Sequence, residues 1–101
     1  MLKHYEAVYR AKKGKTIRVC VDIEGALIKK VVFTGDFFME PGDEIDNLMK
    51  LIKDVKIDDK EIYRKIRLFF KNKGISLFGA TPEDFENALK EAIAQIDTAI
   101  K

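Results

Sequence analysis

The 101-residue sequence has one cysteine, one histidine and two prolines, and its charges almost cancel. A lone cysteine closes no intramolecular disulfide and fits a reducing compartment. A single histidine leaves little catalytic or metal chemistry, because a catalytic imidazole needs a nucleophile or carboxylate partner and a metal usually needs several nitrogen or sulfur ligands. His4 therefore reads as a solvated residue at the start of a strand, and Cys20 as a small residue on a sheet face; no catalytic or metal-binding residue is assigned. Lys+Arg 19 against Asp+Glu 17 leaves +2, so no overall field draws the chain to nucleic acid or membrane. No run approaches the roughly twenty apolar residues of a membrane span. Met1-Leu2-Lys3-His4-Tyr5 is followed by no apolar signal-peptide core, and the expected location is the cytoplasm. Glycine-rich phosphate loops, the nucleophile-elbow pattern and the calcium-loop spacing are all missing. The length itself excludes a large enzyme fold with its catalytic loops.

What remains is an ordinary globular composition, 47% hydrophobic and 36% charged, enough apolar side chains to offset the entropy of ordering one domain over residues 1–101. High Lys, Glu and Ile with few Asn and Gln fit a thermophilic source. The initiating Met1 and a final helix running almost to the C-terminus fit a complete small protein. In the first part the apolar period is two. Tyr5, Ala7 and Tyr9 share one face; Ile17, Val19, Val21 and Ile23 share another, opposite Arg18, Cys20, Asp22 and Glu24. Turns at 11–15 and 24–26 join these strands to a β-branched third over 28–34, predicting an antiparallel meander with one wet face.

After Gly35 the period changes to that of helices. Pro41-Gly42 breaks the chain, and Asp43 is positioned to cap a helix bearing Ile45, Leu48, Met49 and Ile52. Asp58 with Glu61 forms a capping-box pattern ahead of Ile62, Ile66, Phe69 and Phe70, and Lys73-Gly74 closes that helix. Thr81-Pro82-Glu83-Asp84 is the clearest helix start, followed by the stripe Phe85, Ala88, Leu89, Ala92, Ile93, Ile96, Ala99 and Ile100. The predicted fold class is α+β: a three-stranded antiparallel meander, then three helices packed on one face. The carboxylates at Asp43, Glu44 and Asp46, at Asp58, Asp59 and Glu61, and at Glu83 and Asp84 all fall at helix starts, where capping explains them.

Two features point to contact with a partner. Lys60, Arg64, Arg67 and Lys71 make a basic stripe on the second helix, opposite its apolar side, as either a solvated face or an electrostatic contact for an acidic partner. Nucleic acid ranks last among such partners, since the aromatic strand motifs of RNA-recognition domains are missing. The run Gly35-Asp36-Phe37-Phe38-Met39 cannot point wholly inward from a short strand-to-helix connection, so one ring in and one out is expected. Asp36 is suited to an Asx-turn, and aromatics with Met beside an acid resemble a partner-binding patch.

The run Val31-Val32-Phe33-Thr34-Gly35-Asp36-Phe37-Phe38-Met39-Glu40-Pro41, with a strand beginning Lys15-Thr16-Ile17-Arg18-Val19 and a Glu24-Gly25 turn, resembles the accessory domain of lipoate–protein ligases. In many bacteria that domain is the C-terminal part of the ligase; in several archaea it is a separate small subunit. The resemblance implies a fold similar to the iron–sulfur scaffold and sulfur-acceptor fold. It also implies a heterodimer with a catalytic subunit, and a requirement in forming lipoyl-adenylate from lipoate and ATP before a lysine of a lipoyl-acceptor domain takes the lipoyl group. It places ATP, Mg and lipoate on the catalytic partner, with none bound by this chain alone and no catalysis by this chain alone. Gly35, Asp36, Phe37, Phe38 and Met39 are the expected partner contacts. The alternatives are a sulfur- or iron-handling module of the same fold, which needs a reactive Cys20, and a basic-helix binding module.

Overall fold

The computed structural model describes residues 2–11, 15–57, 60–72 and 74–100, with side chains described at all of these except 72 and 96–100. Three nine-residue strands come first: β1 (Leu2–Arg10), β2 (Thr16–Glu24) and β3 (Leu27–Gly35). They pair antiparallel in the order β1-β2-β3, with Arg10 opposite Thr16, Leu2 opposite Glu24 and Val21 opposite Val31. A bulge between Asp22 and Ile23 shifts the β2–β3 register. Period-two alternation decides the faces as expected. Ile17, Val19, Val21 and Ile23 are buried with Ile28, Val31 and Phe33, while Arg18 and Glu24 are exposed.

The helices are α1 (Glu44–Ile52), α2 (Glu61–Asn72) and α3 (Pro82–Ile100). α3 lies against β1 and β2, α1 against β3, and α2 packs on α1 and α3. Leu48 and Ile52 of α1, Ile62 and Ile66 of α2, and Phe85, Ala88, Leu89 and Ala92 of α3 close the core against the sheet's inner face. α3 is also tied to β1 by polar bonds: Asn87 Nδ2 donates to the Tyr9 hydroxyl (3.2 Å) and Gln95 Nε2 to the Glu6 carbonyl (2.5 Å).

At the start of α3 the capping hydroxyl expected of Thr81 is one half of a reciprocal capping box with Asp84. The Asp84 carboxylate accepts from both the Thr81 N–H (2.8 Å) and the Thr81 hydroxyl (3.0 Å), and the Asp84 N–H donates back to that hydroxyl (3.3 Å). Reciprocal bonding offsets the cost of burying Asp84, which is 2% exposed. α1 differs from expectation. Asp43 stands at the N-cap position, but its backbone is already helical (φ −74°, ψ −7°) and its side chain makes no cap bond. A capping side chain reaches back only from extended backbone, so the preceding turn, in which Glu44 N–H donates to the Pro41 carbonyl (3.2 Å), starts this helix. The expected Asp58 cap and the loop residues Lys12, Lys13, Gly14 and Lys73 lie outside the described residues, as do the side chains of Ile96, Ala99 and Ile100.

The sequence reading omits one element. A second sheet of two strands, β4 (Phe38–Glu40) and β5 (Ser76–Phe78), stands beside the meander. A further short rung runs along the outer edge of β3, where Ile28 N–H donates to the Val55 carbonyl (2.9 Å) and Asp54 N–H to the Ile28 carbonyl (2.6 Å). The Lys29–Asp54 ion pair (2.7 Å) holds that rung from the side-chain direction.

Candidate functional site

The β4–β5 ribbon decides where the Gly35–Met39 run points. At the end of β3 the chain passes so close to β2 that a Cβ on Gly35 (φ +149°) would run into the Thr16 carbonyl, and the Asp36 N–H donates to that same oxygen (3.1 Å). Asp36 is thus held by its backbone, and its carboxylate is on the surface. At the other end of the ribbon Gly79 (φ +89°) lies where a Cβ would meet the Asp36 carbonyl. Two glycines in backbone conformations that side chains resist therefore let the two connections cross.

Between them the side chains alternate. Phe37 turns inward and meets Phe85 edge-on, with ring centroids 4.9 Å apart; Phe33 (5.1 Å) and Phe70 (5.4 Å) pack on the same ring. Phe38 is 76% exposed, Met39 is buried in the core, and Glu40 is exposed. Opposite Phe38 in register is Phe78, 55% exposed. Directly paired residues share a face, so two phenylalanines stand together on one side of the ribbon. A groove of about 380 Å³ runs beside Phe38, along Phe33, Phe37, Gly42 and Ile45. The expectation of one ring in and one out matches Phe37 and Phe38. Met39, expected as a contact, is mostly enclosed by the core at 7% exposure and reaches the surface only at the floor of this groove. Phe78 was missed. Its signal would have been a second strand, and three residues carry too little period to announce one.

The basic stripe is partly satisfied within the molecule. Arg64 Nη1 donates to Glu61 (2.8 Å), and Arg67 Nε donates to both carboxylate oxygens of Glu86 on α3 (3.1 and 3.0 Å). The Glu86 side chain is 5% exposed, so Arg67 neutralises a buried carboxylate. Lys90 reaches across to the face of the Tyr63 ring (4.9 Å), and burial, then the Glu86 charge, pushes the Tyr63 hydroxyl pKa up. Lys60, Tyr63, Arg64, Arg67 and Lys90 together line a hollow. Lys60 and Lys71 are exposed at the two ends of the stripe.

His4 and Cys20, read from the sequence as partnerless, are not. His4 faces Asp22 and Glu6 faces Cys20 across the β1–β2 hairpin, on the sheet face away from the helices. His4 Nδ1 lies 2.6 Å from Asp22 Oδ1 and Nε2 lies 3.1 Å from Glu6 Oε2. These hydrogen bonds, Asp22 first and Glu6 second, raise the His4 pKa. The Cys20 thiol pKa is raised too, by burial first and then by the Glu6 carboxylate. A free nucleophilic or sulfur-carrying cysteine is favoured by the opposite shift, so this setting gives the sulfur-handling alternative no support.

These features belong to an α+β domain, and comparison with known proteins gives its family. A family model described as the bacterial lipoate protein ligase C-terminus matches residues 4–89. The chain is 41% identical over 86 residues to lipoate-protein ligase A subunit 2 of Thermoplasma acidophilum, spanning 85% of this chain and 87% of that one. It also matches a solved chain of an archaeal lipoylation system, a bi-partite lipoate protein ligase and its E2 lipoyl domain from Thermoplasma acidophilum. That match has a TM-score of 0.77 at 39% identity and covers 88% of this chain and 97% of that chain. The chain belongs to the lipoate protein ligase C-terminus family. Among the described residues no helix is long and apolar enough to cross a membrane.

Proposed function

We propose that this chain, as a single domain over residues 1–101, is the accessory subunit of a two-chain lipoate–protein ligase. It docks on a separate catalytic subunit and promotes formation of lipoyl-adenylate. Family membership supports the ligase assignment. The observation that carries the docking is the exposed Phe38–Phe78 pair beside an apolar groove: surface aromatics that form a contiguous patch mark interaction sites, whereas scattered ones do not. Gly35 and Asp36 shape the base of this tip and Phe37 anchors it, leaving Phe38 and Phe78 as the contact side chains. Lys60, Arg64, Arg67 and Lys71 steer the encounter at most, because two of the four already serve internal acids.

ATP, Mg and lipoate then belong to the catalytic subunit, where they supply the adenylation chemistry, in the cytoplasm. This chain contributes order. A rigid domain seated against a mobile substrate loop raises the population of its closed, water-excluding state in proportion to its preference for that state. Lipoyl-acceptor domains meet the assembly through the catalytic subunit. The test is to mix the purified chain with the catalytic subunit, ATP and lipoate and follow adenylate formation. An increase that saturates with added chain supports the role, and equal rates with and without the chain refute it.

A further inference from the structure

The outer face of the sheet gathers three kinds of metal donor in one place. One ligand atom each from His4, Glu6 and Cys20 lie within 4.8 Å of one another. The three come from adjacent strands held in fixed register, His4 and Glu6 two apart on β1 and Cys20 opposite Glu6 on β2. We propose that His4, Glu6 and Cys20 form a zinc-binding site, with Asp22 as its positioning residue.

The donor set is nitrogen, sulfur and carboxylate oxygen, which suits a borderline-soft ion that accepts four ligands; magnesium and calcium call for oxygen alone. Tetrahedral zinc holds such donors about 3.3–3.6 Å apart. The His4 Nε2 and Glu6 Oε2 atoms already stand at 3.1 Å; the set as a whole lies within 4.8 Å, and the half-exposed His4 and Glu6 side chains would close the rest, a shift of about 1 Å. A water completes the fourth position.

Asp22 supplies the second observation. A histidine that ligates zinc through one ring nitrogen almost always donates its other N–H to a carboxylate or carbonyl, which fixes the tautomer and aims the lone pair. His4 Nδ1 is bound to Asp22 Oδ1 at 2.6 Å, so Nε2 is the nitrogen turned toward Glu6. The charges around the cluster also favour a cation. The Glu6 and Asp22 carboxylates flank the imidazole and the thiol across the hairpin. Zinc would take the place of the thiol proton, which is released as the metal–sulfur bond forms. Arg18, beside Cys20 along β2, and Lys30, opposite Asp22 on β3, face the same side and bound the negative patch. The bound ion would clip β1 to β2 next to the strand end, a structural role independent of the docking reading.

The test uses the untagged full chain under reducing conditions without chelators, with cobalt as a spectroscopic probe and zinc as competitor. One equivalent of cobalt should give the intense visible bands of tetrahedral coordination and a thiolate-to-cobalt charge-transfer band, and zinc should remove both. Cys20→Ser should abolish the charge-transfer band. His4→Gln and Glu6→Gln should each weaken zinc binding at least tenfold, and Asp22→Asn by about 10–100-fold. Independently of any variant, zinc should raise the melting temperature of the wild-type chain. The proposal is overturned if no charge-transfer band forms, if the band survives undiminished in His4→Gln and Glu6→Gln, or if one metal binds per two chains, which would mark thiolates shared between copies.

Discussion

The two candidate contact surfaces, the β4–β5 tip and the α2 stripe, look equally promising on paper and differ in what the fold has already done with them. Along α2 the guanidinium of Arg67 answers a buried carboxylate on α3, Arg64 answers Glu61, and Lys90 covers Tyr63. At the tip, Phe38 and Phe78 stand on the outer side of a ribbon whose inner side is fully used by Met39, Phe37 and Phe85. Charges that have partners inside the molecule have little left for a second molecule, whereas exposed rings have all their burial still to gain. A fully buried large apolar side chain is worth about 1.5–3 kcal/mol, while an exposed ion pair yields about 0–1 kcal/mol. On the docking proposed above, the tip is therefore the better surface of the two, and Arg64 and Arg67 of the stripe serve the fold.

The largest expected effect removes the support beneath the tip. Phe85→Ala deletes the ring on which Phe33, Phe37 and Phe70 converge and should cost about 3–5 kcal/mol of stability, measured by denaturant unfolding. Next is the tip itself. Replacing Phe38 and Phe78 together with Ala should weaken binding to the catalytic subunit by about thirtyfold or more, the size of a single hot spot. Because both rings are on the surface, stability should stay within about 0.5 kcal/mol of wild type. Calorimetric titration alongside a melting curve separates these two outcomes.

The stripe should give the reverse pattern. Arg67→Ala leaves Glu86 buried without its cation and should lower the melting temperature clearly. Lys60→Ala with Lys71→Ala should leave the melting temperature unchanged and alter partner affinity by no more than about fivefold, chiefly through the association rate and its salt dependence. If the lysine pair proves as damaging to binding as the phenylalanine pair, the comparison is inverted.

The smallest effect concerns the rung beside β3. Lys29 lowers the Asp54 pKa and Asp54 raises that of Lys29. A depressed carboxylate stabilises the fold above its unfolded pKa, about 3.9, and loses that contribution as pH falls through the folded value. A raised lysine stabilises below its unfolded pKa, about 10.4, and loses it as pH rises through the folded value. The pair thus acts in full between those limits, and Asp54→Asn should flatten the stability profile slightly at its acid end, as followed by melting temperature against pH.

Most of the meander and the helices was legible because each has a long enough apolar period to declare itself: four alternating residues on β2, and the i, i+4, i+7 pattern of Ile62, Ile66 and Phe69 on α2. The α3 start was legible because a capping box is local, closed between Thr81 and Asp84. What escaped depends on pairing between distant residues. β4 and β5 are three residues each and lie 35 residues apart in the chain, so neither reads as a strand until the other is beside it. The His4–Glu6–Cys20 cluster depends on register. Across β1 and β2, positions whose numbers add to 26 face each other, which places His4 by Asp22 and Glu6 by Cys20. The signal was present, but it required committing to the centre of a loop, where one residue of slip moves every side chain to the other face.

The docking proposed above seats the exposed aromatic tip of this chain on a ligase catalytic subunit. Its most direct test is the rate of lipoyl-adenylate formation by that subunit, with ATP and lipoate, measured alone, with the wild-type chain, and with the chain carrying Phe38→Asp and Phe78→Asp. A rise is expected with the wild-type chain and, at the same chain concentration, a rate indistinguishable from the subunit alone with the double variant. A wild-type chain that changes nothing, or a folded double variant as effective as wild type, would contradict it.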